Sequence, residues 1–201
     1  QSFYRAMEAY EEALNQAPDY GIAHNNKGTA LSGLGDLQMS RLLYDEAKNN
    51  YQKAITAHDA ALQLSPGLIS AYNNKSVALI RLGDAQMLSS QEEAKLSYFG
   101  ALATAKMALF TAPNDVNAHL NKGNAMQRIG ELQASMSQHE DAIESYQDAL
   151  LASREVIHRA PNNAAAYNIK AITLTALGSS QELLLQCKAA EQSYREAVLA
   201  Y

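Results

Sequence analysis

A chain of 201 residues with 47% hydrophobic and 18% charged side chains, four prolines and ten glycines has the apolar content of a globular protein, which excludes a disordered one. A net charge of −5 with scattered Lys and Arg argues against nucleic acid, because phosphate contacts need clustered basic residues. One cysteine, Cys187, cannot close an internal disulfide, so folding does not require an oxidising compartment and a cytoplasmic location is expected.

Residues 1–17 are predicted to form one helix, with Phe3, Ala6, Met7, Tyr10, Ala13 and Leu14 recurring at three- and four-residue steps. Pro18 ends it, and Asp19 is placed to cap the next helix. The stretch that follows, AHNNKGTALSGLGDLQ, returns as AYNNKSVALIRLGDAQ, AHLNKGNAMQRIGELQ and AYNIKAITLTALGSSQ; the four copies begin at residues 23, 71, 118 and 166, intervals of 48, 47 and 48. A fixed period of that size is the signature of a repeat architecture.

The rest of the chain keeps the same beat. Pro18, Pro66, Pro113 and Pro161 share one phase, and so do Gly35, Gly83, Gly130 and Gly178, and Lys27, Lys75, Lys122 and Lys170. An aromatic slot recurs as Phe3, Tyr51, Tyr98, Tyr146 and Tyr194, with alanine three residues beyond each. The expected organisation is a single repeat domain, 1–201, in which 1–18 is the second half of an earlier repeat, 19–66, 67–113 and 114–161 are full repeats, and 162–201 is an incomplete last one.

Each repeat is predicted to hold two helices, at about 20–41 and 44–64 in the first. Ser-x-x-Glu capping boxes, Ser90 to Glu93 and Ser137 to Glu140, mark starts of second helices. The glycine then falls inside the first helix, where it costs about 1 kcal/mol relative to alanine and is expected to permit close packing. On that reading, Gly130→Ala is expected to be stabilising or tolerated. The run 101–112 is broken by Lys106 and is far shorter than the ~20 residues a bilayer requires, and no signal-peptide pattern stands at Gln1. The chain reads as a piece or processed form of something longer, and its open ends are expected to favour end-to-end self-association.

The bulky residue followed by Asn-Asn-Lys-small (His24 to Gly28; Tyr72 to Ser76), the Leu-Gly-Asp (Leu34 to Asp36; Leu82 to Asp84), the acidic-Ala, Tyr, Ala run (Glu46, Ala47, Tyr51, Ala54) and the final proline together resemble the tetratricopeptide repeat. The resemblance covers the whole chain. It implies an all-α, right-handed superhelical solenoid of antiparallel helix hairpins. The family's unit is 34 residues, so the extra 14 here lengthen both helices by two turns.

That resemblance also places the first helix of each hairpin on a concave surface, where similar asparagines bond the backbone of an extended peptide. The matching residues are Asn26, Asn74 and Asn121, with Ile169 breaking the ladder; bridging between neighbouring helices is the alternative use of the same amides. A neighbouring stripe runs Asn25, Thr29, Ser32, Asp36, then Asn73, Val77, Ile80, Asp84, then Leu120, Asn124, Gln127, Glu131, at steps of four, three and four. Its acids, Asp36, Asp84 and Glu131, would invite a basic partner, or are a solvated remnant of the shorter repeat's turn. The slots that grip a terminal carboxylate in some relatives hold Asn25, Ser70, Asn117 and Ala165, none of them basic, so that activity is not inferred.

No metal-ligand spacing joins His24, His58, His119, His139 and His158, and no nucleophile motif or phosphate-cradling loop is present. The expected function is a protein- or peptide-binding scaffold with no cofactor and no catalysis. The alternatives are a structural or self-assembling spacer in a longer chain, or the regulatory arm of an enzyme or transcription factor.

Overall fold

The computed structural model describes residues 2–200, with side chains from residue 5 onward, so the Phe3 side chain lies outside the described residues. Among the described residues nine helices and no strand occur: α1 Ser2–Gln16, α2 Gly21–Met39, α3 Tyr44–Leu64, α4 Ile69–Gln86, α5 Gln91–Thr111, α6 Val116–Ser135, α7 His139–Arg159, α8 Ala164–Leu183 and α9 Cys187–Ala200. The chain divides into two compact units, Gln1–Pro113 and Asn114–Tyr201. In the first, α1 packs on α2, α2 on α3, α3 on α4 and α4 on α5, and α2 also touches α4; in the second, α6 packs on α7, α7 on α8 and α8 on α9, and α6 touches α8.

The prolines set the helix ends. Ser65, Ala112 and Ala160, each just before a proline, have extended backbones with φ of −142°, −137° and −137°, because the proline ring bars the residue before it from the helical region. Two residues beyond each proline lies the true N-cap. Asp115 accepts from the Ala118 N–H at 2.7 Å and Asn163 from Ala166 at 3.0 Å, but the same position in the first unit holds Tyr20 and Leu68, which cap nothing. Asp19 is therefore not a cap: it stands one residue too early.

Three hairpin turns close with a left-handed residue, Leu42 (φ 62°), Ser137 (φ 61°) and Leu185 (φ 59°). Around each, paired bonds return to the preceding helix, such as Leu43 N–H to Gln38 O and Leu42 N–H to Met39 O, both at 3.0 Å, the pattern that satisfies the last helical carbonyls. The Ser137–Glu140 capping box consequently does not form. Ser137 is the left-handed residue, and Gln138 stands at the N-cap without a side-chain bond. The α4–α5 turn lacks a left-handed residue, and there Ser90 falls on the N-cap and accepts from Glu93 N–H at 3.3 Å.

Inside each hairpin two contacts recur. The mid-helix glycine lies under the tyrosine ring of the partner helix: a Cβ on Gly35 would sit 2.6 Å from Tyr51 Cε1, on Gly130 2.5 Å from Tyr146 Cε1, and on Gly178 2.8 Å from Tyr194 Cε1, with Gly83 and Tyr98 placed alike. Tolerance of Gly130→Ala is thus overturned, because the space an alanine methyl needs is filled by an aromatic ring. One turn further on, a glutamine oxygen accepts from the second helix: Gln38 from Asn50 at 2.7 Å, Gln86 from Ser97 at 2.6 Å, Gln133 from Ser145 at 2.6 Å and Gln181 from Ser193 at 2.8 Å. These bonds tie the two helices of each hairpin together one turn beyond the glycine.

Candidate functional site

In the first unit a cavity of about 330 Å³ opens along α2 and α4, lined by Thr29, Ser32 and Gly33 of α2, His58 of α3, and Asn74, Val77 and Arg81 of α4. Its polar network has a fixed direction, which follows from counting protons. Thr29 donates its one hydroxyl proton to the Asn25 carbonyl at 3.1 Å, so its oxygen can only accept from Asn74, 3.1 Å away. The atom Asn74 presents is therefore its Nδ2, which also donates to Asn25 Oδ1 at 3.2 Å. Since Asn25 Oδ1 is an acceptor, the His58 Nδ1 that lies 3.0 Å from it carries the proton, and His58 Nε2 is a bare lone pair.

His58 is completely buried. Burial lowers its pKa from 6.5 to about 4, with Lys75 adding to the fall and Asp59 opposing it, so the ring is neutral at physiological pH. It lies over Gly28, whose absent Cβ would come within 2.6 Å of the ring. Asn25, which holds Nδ1, is one turn before Gly28; Ser32 stands one turn after it and lines the same cavity as His58. Both His58 Nε2 and Ser32 Oγ are buried without a hydrogen-bond partner, an uncommon condition for interior polar atoms.

The residues singled out by spacing are placed as follows. Of the asparagine ladder, Asn74 bridges to α2, and its partner there is Asn25, one residue before Asn26; the packing of α4 on α2 sets the contact, and equal repeat position does not. Asn26 is half-buried and Asn73 is buried. Asp36 is no free acid: it accepts from the Tyr51 hydroxyl at 2.9 Å and pairs with Arg81 at 2.8 Å. Asp84 accepts from Tyr98 at 2.9 Å. In the second unit Asn121 is buried, Asn124 is half-buried, and Glu131 accepts from Gln127 and Arg128, both at 2.9 Å.

The acids thus serve the hairpin interior. Burial, together with the Asp36 bond, raises the Tyr51 hydroxyl pKa well above its usual range, and burial with the Glu131 charge does the same at Tyr146. At Tyr51 the uncharged hydroxyl donates and the Asp36 carboxylate accepts. His58 was not marked by spacing, because its equivalents are Ala105 and Ser153 and a residue that occurs once leaves no periodic trace. The available signal was the smallness of Gly28 opposite a large side chain.

Among the described residues no group of three His, Cys, Asp or Glu is placed to hold a metal, and no helix is long and apolar enough to cross a membrane. Cys187 is free and exposed.

No protein-family model and no curated protein sequence matches the chain. Solved structures do. MamA residues 41 to the end from Desulfovibrio magneticus RS-1 aligns over 100% of this chain and 86% of its own, with 20% identity and a TM-score of 0.59. The MamA RS-1 ArsTM double mutant aligns over 98% and 84%, with 18% identity and a TM-score of 0.60. BtubC from P. vanneervenii aligns over 99% and 88%, with 17% identity and a TM-score of 0.55. At such identities the likeness concerns fold alone. Taken with the recurring sequence signature and the hairpins described above, it shows an all-α, tetratricopeptide-like solenoid of antiparallel helix hairpins.

Proposed function

We propose that this chain is a protein-interaction module that holds an extended polypeptide segment in the groove along α2 and α4. The observation that carries this reading is the groove's lining: polar groups from two neighbouring helices, Thr29, Ser32 and Asn74, converge on one cavity of about 330 Å³. After Asn74 has given its amide protons to Asn25 and Thr29, its Oδ1 remains able to accept from a main-chain N–H. Asn26 and Asn73 flank this strip in the first unit; in the second, Asn121 holds the repeat position of Asn26 and Asn74, and Asn124 that of Thr29 and Val77.

The partner's charge follows from the ion pairing. A basic segment would have been drawn by free carboxylates, but Asp36 is neutralised by Arg81, and Asp84 and Glu131 accept bonds from the hairpin itself. A neutral segment therefore fits the first unit better. A scaffold of this kind needs no cofactor and no catalytic group.

Selection of extended peptides from a display library on the full chain tests this. Peptides are expected to be recovered, and Thr29→Arg, which fills the groove from an exposed helical position, is expected to abolish their binding with helicity unchanged. Normal binding by the Thr29→Arg protein would place the partner elsewhere.

A further inference from the structure

We propose that the floor of this groove is a subsite for a neutral carboxamide, the side chain of an asparagine or glutamine carried by the bound segment; this rests on the groove reading above. The subsite is built from three groups whose proton states are fixed. His58 Nε2 is an acceptor, because Nδ1 holds the ring proton toward Asn25 Oδ1 at 3.0 Å. Asn74 Oδ1 is a second acceptor, because its nitrogen is already turned to Asn25 and Thr29. Ser32 Oγ is a hydroxyl with no partner, and like His58 it is more than nine-tenths buried. All three residues line the same cavity.

Two acceptors and one donor are the complement of a primary carboxamide, which offers two N–H protons and one oxygen. Its NH₂ would donate to His58 Nε2 and Asn74 Oδ1 while its oxygen accepts from Ser32. Other groups match less well. A carboxylate would set its lone pairs against those of Nε2 and Asn74 Oδ1. An ammonium would enter beside Arg81. An aliphatic side chain would leave Nε2 and Oγ buried and unpaired, the arrangement interiors avoid. A hydroxyl has one proton for two acceptors. A water takes about 30 Å³ of a cavity near 330 Å³, so a single water leaves room that a carboxamide on its methylene stem can occupy.

The test uses the full chain labelled with ¹⁵N and titrated with three small probes: N-acetyl-glutamine methylamide, its norvaline analogue and its homoserine analogue. The glutamine probe is expected to move the His58 Nε2 resonance upfield, as a bare nitrogen does on accepting a proton donor, and to bind about tenfold more tightly than the norvaline probe, the discrimination a site with polar groups to satisfy can reach. Ser32→Ala deletes a hydroxyl that bonds to nothing in the fold, so it is expected to leave folding intact and to remove most of that preference. His58→Phe is expected to abolish it. Equal binding of the glutamine and norvaline probes, tighter binding of the homoserine probe, or a Nε2 resonance that reports only water would overturn the proposal. If selected peptides occupy the groove with no preference for a carboxamide, the subsite is wrong and the groove stands. If the glutamine probe shifts Nε2 and no peptide is held, the subsite stands and the groove reading fails.

Discussion

Gly130→Ala is expected to destabilise the protein by about 1–3 kcal/mol, the usual cost of forcing extra volume into a packed interior. The sign runs against helix propensity, which favours alanine over glycine in mid-helix by about 1 kcal/mol. Volume wins here because the new Cβ would stand 2.5 Å from Tyr146 Cε1 and 2.7 Å from Cδ1. The ring, only 1% exposed, has nowhere to turn. Removing the ring should reverse the effect: in a Tyr146→Leu background, itself destabilised by the lost aromatic contacts, Gly130→Ala is expected to be neutral or to gain up to about 1 kcal/mol. Urea unfolding of the four proteins in this cycle measures the coupling. A loss of equal size with and without the tyrosine would mean that the backbone, and not the ring, demands glycine.

The second large effect is on acid stability. The unfolded chain takes up a proton on His58 near pH 6.5, while the folded chain does so only near 4. Between those values the unfolded state binds more protons, so stability rises with pH through the window and is lost as pH falls from about 6.5 toward 4. A gap of that width corresponds to about 3 kcal/mol. The charged groups around the ring are Asp59 of its own helix and Lys75 of α4, which pair with each other, and Arg81, which lines the same cavity and pairs with Asp36. His58→Gln keeps a donor for Asn25 Oδ1 and has no proton to gain. The difference in unfolding free energy between wild type and this variant should therefore shrink or reverse as pH is lowered through the window. A pH-independent difference would show that His58 titrates as in the open chain.

Much of this fold was legible because the sequence repeats itself. The expected helices at 20–41 and 44–64 compare with Gly21–Met39 and Tyr44–Leu64, since proline phase and apolar spacing act locally and each repeat averages out the noise of the others. Glycine was legible as a close-packing residue, but not the neighbour it packs against. That neighbour lies 15 or 16 residues away, at Tyr51, Tyr98, Tyr146 and Tyr194, and only the antiparallel hairpin brings the two together. The left-handed turn residues were hidden because Leu42, Ser137 and Leu185 occupy positions where glycine would have announced them.

The candidate site was less readable, for a geometric reason. Aligning repeats equates Asn26 with Asn74, whereas the packing of α4 on α2 sets Asn74 against Asn25. The acids were visible as a stripe, but their engagement with Tyr51, Arg81 and Tyr98 depends on residues from other helices. His58 breaks the period, and its partnership with Gly28 and Asn25 becomes visible only once α3 is folded against α2.

The groove itself is the central claim, and isotope-filtered NOEs from an unlabelled selected peptide to the methyl-labelled chain test it most directly. Contacts are predicted to the methyls of Thr29 and Val77, which line the cavity on its two helices. Contacts confined to Leu96 and Met107, exposed on α5 at 69% and 49%, would contradict it.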